Sequence, residues 1–162
     1  MPHWPAFGGE PGHGPLRQRD GVTCGPTVAI VGAALLDSRY ATQLHDPEWF
    51  IREQGRVHRE VNVLWPRALG TTPAAMAVAF SRHSAVPYRW RLTLGRRDGL
   101  HDVREALLLG YPVALVVGRI VPRHWVLLIG VDADARFQCY EPSSGELRTI
   151  SASDIRLGQL DR

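Results

Sequence analysis

Residues Cys24 to Leu36, CGPTVAIVGAALL, constrain this chain more than any other stretch, because a run so apolar must be buried and helical spacing buries it lengthwise. Val28, Ala29, Val31, Ala34 and Leu35 recur at three- and four-residue steps and predict one long buried stripe. Gly25 gives the turn before the run its backbone freedom, and Pro26 suits a first helical turn, where a missing N–H costs nothing. The helix is therefore predicted to begin at or just after Cys24. A thiol at that position meets unpaired N–H groups and the positive end of the helix dipole, which favour thiolate over thiol. Against this stands the ordinary role of a lone cysteine, a small buried hydrophobe.

What lifts Cys24 above that role lies a hundred residues on. Arg123, His124 and Trp125 lead into the strand-like VLLIGVD, and FQCYEPSSGELRTI places Glu141 at the end of the next strand. A thiolate nucleophile needs a base to take its proton and a third group to hold the imidazole tautomer, and these strands carry both. A turn centred near Asp132 to Ala135 would pair the strands antiparallel and bring His124 and Glu141 together, with Pro142 ending the pairing. Asp132 is the rival acid, but at roughly 3.3 Å per residue it lies about 20 Å or more along the strand that His124 opens. Gln18, on the loop ahead of Cys24, can turn its amide beside the Cys24 N–H towards a developing oxyanion. The site is expected in a cleft between a helical first half and a sheet-forming second half. Cys139 alternates with inward-facing strand neighbours and is expected to be structural.

The stretch from Gln18 to Pro26, the apolar ALLLGYPVALVVG, HWVLLIGVD and the EPSSG turn together resemble papain-fold cysteine peptidases of the C39-like group. The resemblance runs in order from about Leu16 to Ile150, with Asp37 to Arg97 similar only in general character. It implies a papain-like fold in which a glutamine ahead of a CGP helix start contributes to the oxyanion hole. A histidine opening a hydrophobic strand is then the base, and an acid in a DPxxG-type turn orients it. Carried onto this chain, these roles fall to Gln18, Cys24, His124 and Glu141. Thr23 departs from the acidic residue of many members. Glu141 replaces the usual aspartate, which would set the imidazole one methylene further from that strand. No cofactor and no metal is implied. The expected activity is a thiol hydrolase cleaving a peptide or isopeptide amide of a peptide or protein substrate through a cysteine acyl-enzyme. Two alternatives stay open. One is a papain-fold deamidase, transglutaminase or acyltransferase, including a toxin effector domain; the other is a non-catalytic peptide-binding domain. Relatives that are leader peptidases fused to membrane transporters carry spans and an ATP-binding motif that this sequence lacks, which favours a stand-alone role.

At 162 residues the chain is expected to hold one domain over 16–162, preceded by a Pro-, Gly- and His-rich arm or linker over 1–15. No stretch approaches the roughly eighteen apolar residues of a membrane span, and the arm has no signal-peptide pattern. Localisation stays open between cytoplasmic and secreted as part of a larger protein. The net charge of +3 rests on arginine without a single lysine, scattered among acids with no basic stripe, so no nucleic-acid partner is expected. Two cysteines exclude a disulfide framework and a paired CxxC site. His45, His58, His83 and His101 read as exposed structural histidines, while His3 and His13 lie in the arm. Oligomeric state stays open.

In order, the pattern predicts a polar connection from Asp37 to Leu44, a helix capped by Asp46 with Pro47 just inside, and a further helix over Asn62 to Leu69. A helix at Pro73 capped by Thr71 or Thr72 follows, then a half-exposed strand PYRWRLTL and a helix over Gly99 to Leu109. Strands PVALVVG, Val126 to Val131, Arg136 to Tyr140 and Leu147 to Ile150 complete an α+β pattern.

Overall fold

The first helix, α1 (Cys24–Leu36), is buried on every side from Cys24 to Ala34, where a single stripe was expected. The computed structural model, which describes residues 16–61, 71–92, 99–117 and 124–158, shows why. Around α1 pack α2 (Ser38–Ala41), α3 (Pro47–Val61), α4 (Pro73–Ser81) and one face of a sheet. A helix apolar all round is what a central helix requires. Gly32 lets α4 approach: a Cβ built there would lie 2.3 Å from the Phe80 ring.

Local chemistry sets the helix starts. Asp46 Oδ1 accepts the N–H groups of Glu48 and Trp49 at 2.9 and 3.1 Å, opening α3 behind Pro47. The Thr72 hydroxyl accepts the Ala75 N–H at the start of α4, with Pro73 in its first turn. The expected polar connection after α1 is instead α2 and a 3-10 turn at Thr42–His45, because Asp37 caps the N–H groups of Arg39 and Tyr40. The helix expected over Asn62 to Leu69 lies outside the described residues, as does the arm.

The second half contributes α5 (Gly99–Leu108) and the antiparallel strands β1 (Val113–Val117), β2 (His124–Val131), β3 (Phe137–Glu141) and β4 (Glu146–Ile150), in sheet order 1-2-3-4. A short helix, α6 (Ala152–Leu157), follows with a Ser151–Asp154 capping box that the pattern did not predict. Trp125, Leu127, Ile129 and Tyr140 turn towards the α1 side, whereas Val126, Leu128, Phe137 and Cys139 pack with Leu100 and Leu107 of α5. With both faces covered, β2 reads as a continuous apolar run. The architecture is α+β: a helical first half and a four-stranded antiparallel sheet.

One expected strand does not form over its described residues. Residues 87–92, the described part of PYRWRLTL, join no sheet. The segment is fastened to α4 instead: the Tyr88 N–H donates to Ser81 Oγ at 2.8 Å and its ring meets Phe80 edge-on. Its alternation reflects one side lying on a helix. Among the described residues, no helix is long and apolar enough to cross a membrane.

Candidate active site

The antiparallel sheet brings the start of β2 beside the end of β3. Leu127 pairs with Tyr140, so by continuation Glu141 is level with Val126, two residues along β2 from His124. A side chain meeting a diagonal neighbour must bridge roughly 7–8 Å between backbone positions. Glutamate does so here: His124 Nε2 stands 2.9 Å from both Oε1 and Oε2 of Glu141. The extra methylene of Glu141 spans the diagonal along the sheet. Its carboxylate is further held by Ser143, whose backbone N–H and hydroxyl donate to Oε1 at 3.0 and 2.9 Å.

With Nε2 facing the acid, Nδ1 is left for other partners, and the Cys24 thiol lies close enough to the His124 ring for each to shift the other's titration. The backbone N–H groups of Trp125 and of Gly25, in the first turn of α1, favour the thiolate as well. No acidic residue occupies that turn and Thr23 makes no side-chain cap, so neither a carboxylate of the turn nor a capping side chain opposes an anion there. Thr23, the departure from the acidic pattern, is buried, and its hydroxyl works within its own loop on Asp20.

The charges follow from this geometry. Burial raises the Cys24 pKa, but the bond from His124, the Trp125 N–H, the imidazolium charge and the Gly25 N–H together outweigh it and lower it below the ordinary thiol value. His124 is pushed up to about 10, first by its bond to Cys24 and then by Glu141, against desolvation. Burial opposes the Glu141 carboxylate, and the bonds from His124 and Ser143 hold it below the usual range regardless. Near neutrality His124 is therefore imidazolium and Glu141 carboxylate, and the pair shifts Cys24 towards thiolate.

Gly25 serves this site differently from the expected turn. It lies inside α1, and a Cβ there would fall 2.3 Å from Thr71 Oγ1 and 3.2 Å from the Trp125 ring. The Trp125 indole N–H in turn donates to the Thr71 carbonyl at 2.9 Å. The residue after Cys24 and the residue after His124 are thus packed on one threonine, which closes the seam between helices and sheet.

Gln18 reaches the site through its backbone. Its N–H donates to the Pro142 carbonyl at 2.8 Å, next to Glu141, while its side-chain amide N–H donates to Asp20 O at 2.8 Å. Gln54, fully buried on α3, brackets it: Oε1 accepts the Arg19 N–H at 2.9 Å and Nε2 donates to Arg17 O at 3.0 Å. The Tyr140 hydroxyl donates to Leu16 O, and Arg17 Nε to Ser143 O at 3.1 Å. The loop ahead of Cys24 is therefore tied to α3 and to the turn that carries the acid.

The structure joins Cys24, His124 and Glu141 directly and sets the Gln18 loop against them. Ser143 and Gln54 were not foreseen. The only local hint of Ser143 is its place in a turn two residues after the acid; nothing local marks Gln54, whose partners are more than thirty residues away. Asp132 lies at the other end of β2, on Arg136 at 3.1 Å. His58 corrects its reading as an exposed histidine, being 5% exposed within α3. His83 is half-buried on Asp37 at 3.2 Å, while His45 and His101 are exposed. Among the described residues no group of three His, Cys, Asp or Glu side chains is placed to hold a metal ion. An open groove of about 590 Å³ lined by Val78, Arg82, Tyr88 and Trp90 lies along α4 and includes none of the site residues. Residues 62–70 and 118–123, which precede Thr71 and His124, lie outside the described residues. Comparison with known protein families, curated proteins and solved structures gives no match for this chain.

Proposed function

We propose that this chain is a papain-fold thiol hydrolase of the C39-like kind, cleaving a peptide or isopeptide amide through an acyl-enzyme on Cys24. The observation that carries the reading is the alignment of the Cys24 thiol beside the His124 ring, whose Nε2 stands 2.9 Å from both Glu141 oxygens, with the thiol at the start of a buried helix. A lone structural cysteine needs neither an imidazole nor a carboxylate behind it.

The chemistry follows from the charges. The Cys24 thiolate adds to the amide carbonyl carbon, and the negative charge passes to the carbonyl oxygen, where the Cys24 N–H and the second Gln18 amide N–H would receive it. When the C–N bond breaks, imidazolium of His124 gives its proton to the leaving amine and a thioester remains. Neutral His124 then takes a proton from water as the water oxygen attacks the thioester carbon, and the acid product departs with the thiolate restored. Glu141 holds the Nε2–H tautomer and supports the imidazolium throughout.

The Gln18 amide already donates one N–H to Asp20 O, which orients it and spends only half its donor capacity. The test is a trapping experiment: incubation with candidate peptides or cell extract, followed by mass spectrometry of adducts on Cys24. A thioester-linked acyl group on Cys24, absent in His124→Ala, supports the reading. An unmodified Cys24 that also alkylates no faster than an ordinary buried thiol would refute it.

A further inference from the structure

We infer that Ser143 is a positioning residue of this site, its hydroxyl swinging the Glu141 carboxylate across the diagonal onto His124. The inference rests on the Cys24–His124–Glu141 reading above. It starts from a mismatch: Glu141 is level with Val126, two residues along β2 from the histidine it serves. A flexible side chain with three rotatable bonds has many ways to miss such a target. Oε1 of Glu141 is caught by two donors of one residue, the N–H and hydroxyl of Ser143, at 3.0 and 2.9 Å. With that oxygen anchored, both oxygens come to 2.9 Å of Nε2.

Ser143 gains nothing obvious for the fold from this bond. It is an exposed turn residue, and its hydroxyl would be satisfied by water if released. Its own carbonyl takes Arg17 Nε at 3.1 Å and the preceding Pro142 carbonyl takes the Gln18 N–H at 2.8 Å, so the turn is fixed from behind while Ser143 works forwards. The other ionisable groups around the pair are Cys24 on α1, Cys139 and Tyr140 on β3, Glu146 and Arg148 on β4, and Arg17 on the loop. None of these is bonded to the Ser143 hydroxyl, and the serine substitution leaves them in place.

Removing the hydroxyl has two opposed consequences. A carboxylate that loses a donor becomes a stronger acceptor and would support the imidazolium better. A carboxylate that loses its anchor moves away and would support it less. Positioning predicts that the second wins. The experiment is the rate of Cys24 alkylation by iodoacetamide against pH, on the full chain, with mass spectrometry to assign the site and circular dichroism to follow folding. The wild-type limb is expected below the ordinary thiol range. Ser143→Ala, which keeps the backbone N–H, should move that limb up by roughly half a pH unit, the scale of one modest hydrogen bond. Ser143→Thr should restore it. In the Glu141→Asp background, where the shorter acid falls short of the ring, Ser143→Ala should move the limb no further. An unchanged or lowered limb in Ser143→Ala overturns the inference, and so does an equal shift in the Glu141→Asp background. A wild-type limb at the ordinary thiol value would instead remove the proposed function itself, and the role of Ser143 with it.

Discussion

Cys24 and Cys139 are equally hidden, at 5% and 3% exposed, and their surroundings drive them in opposite directions. Cys139 sits mid-strand among Val126, Leu128 and Phe137, where burial, with the Glu141 charge second, pushes its thiol up to about 12. Cys24 suffers the same burial, yet an imidazole and two backbone N–H groups reverse the outcome. Burial alone therefore says nothing about reactivity. The difference is whether the fold supplies donors and a positive charge at the sulfur, and the same Glu141 carboxylate works against one thiol and, through His124, for the other.

The sharpest way to break this comparison is to label both thiols near neutral pH. Cys24, held below the ordinary thiol value, should be labelled strongly in preference to Cys139, whose burial pushes it up to about 12. His124→Ala should remove most of that preference, and equal labelling in the folded wild type would end the distinction. Glu141→Ala tests the far end of the chain: turnover should fall by roughly a hundredfold, the cost of a misplaced base, with Glu141→Gln no worse. Asp132→Ala is its control, and a larger loss there would identify a different acid.

Gln18→Ala should reduce turnover by a similar roughly hundredfold through the oxyanion, while leaving Cys24 alkylation nearly unchanged. Alkylation that slows in parallel would show Gln18 acting on the thiol instead. The smallest effect is expected from Gln54→Ala, which strips partners from the Arg19 N–H and the Arg17 carbonyl. Urea denaturation should show a loss of about 1–3 kcal/mol, and the labelling preference between the two cysteines should survive.

Much of this molecule was legible in order along the chain. Apolar periodicity and a Pro-bearing helix start located α1, Asp46 and Thr72 marked their helices, and alternating strands with tight turns implied that His124 and Glu141 would meet. These are local signals, since each depends on residues within a turn or two of one another. PYRWRLTL shows the limit: alternation reports one covered side, and only the fold decides whether a sheet or, as here, α4 covers it. Likewise α1 could be read as buried, but whether on a stripe or all round depended on how many elements came to pack on it.

At the site, the residue types were set by the sequence alone: a thiol at a helix start, an imidazole opening a strand, a carboxylate closing the next. The tertiary structure decided what joins them. A register that leaves Glu141 diagonal to His124, a serine that catches the longer acid, a buried glutamine on α3 that brackets Gln18, and a threonine seated against Gly25 each depend on where an atom stands to within an ångström. Hydrogen bonds and close packing discriminate at that scale, whereas hydrophobic periodicity specifies only which side of an element is covered.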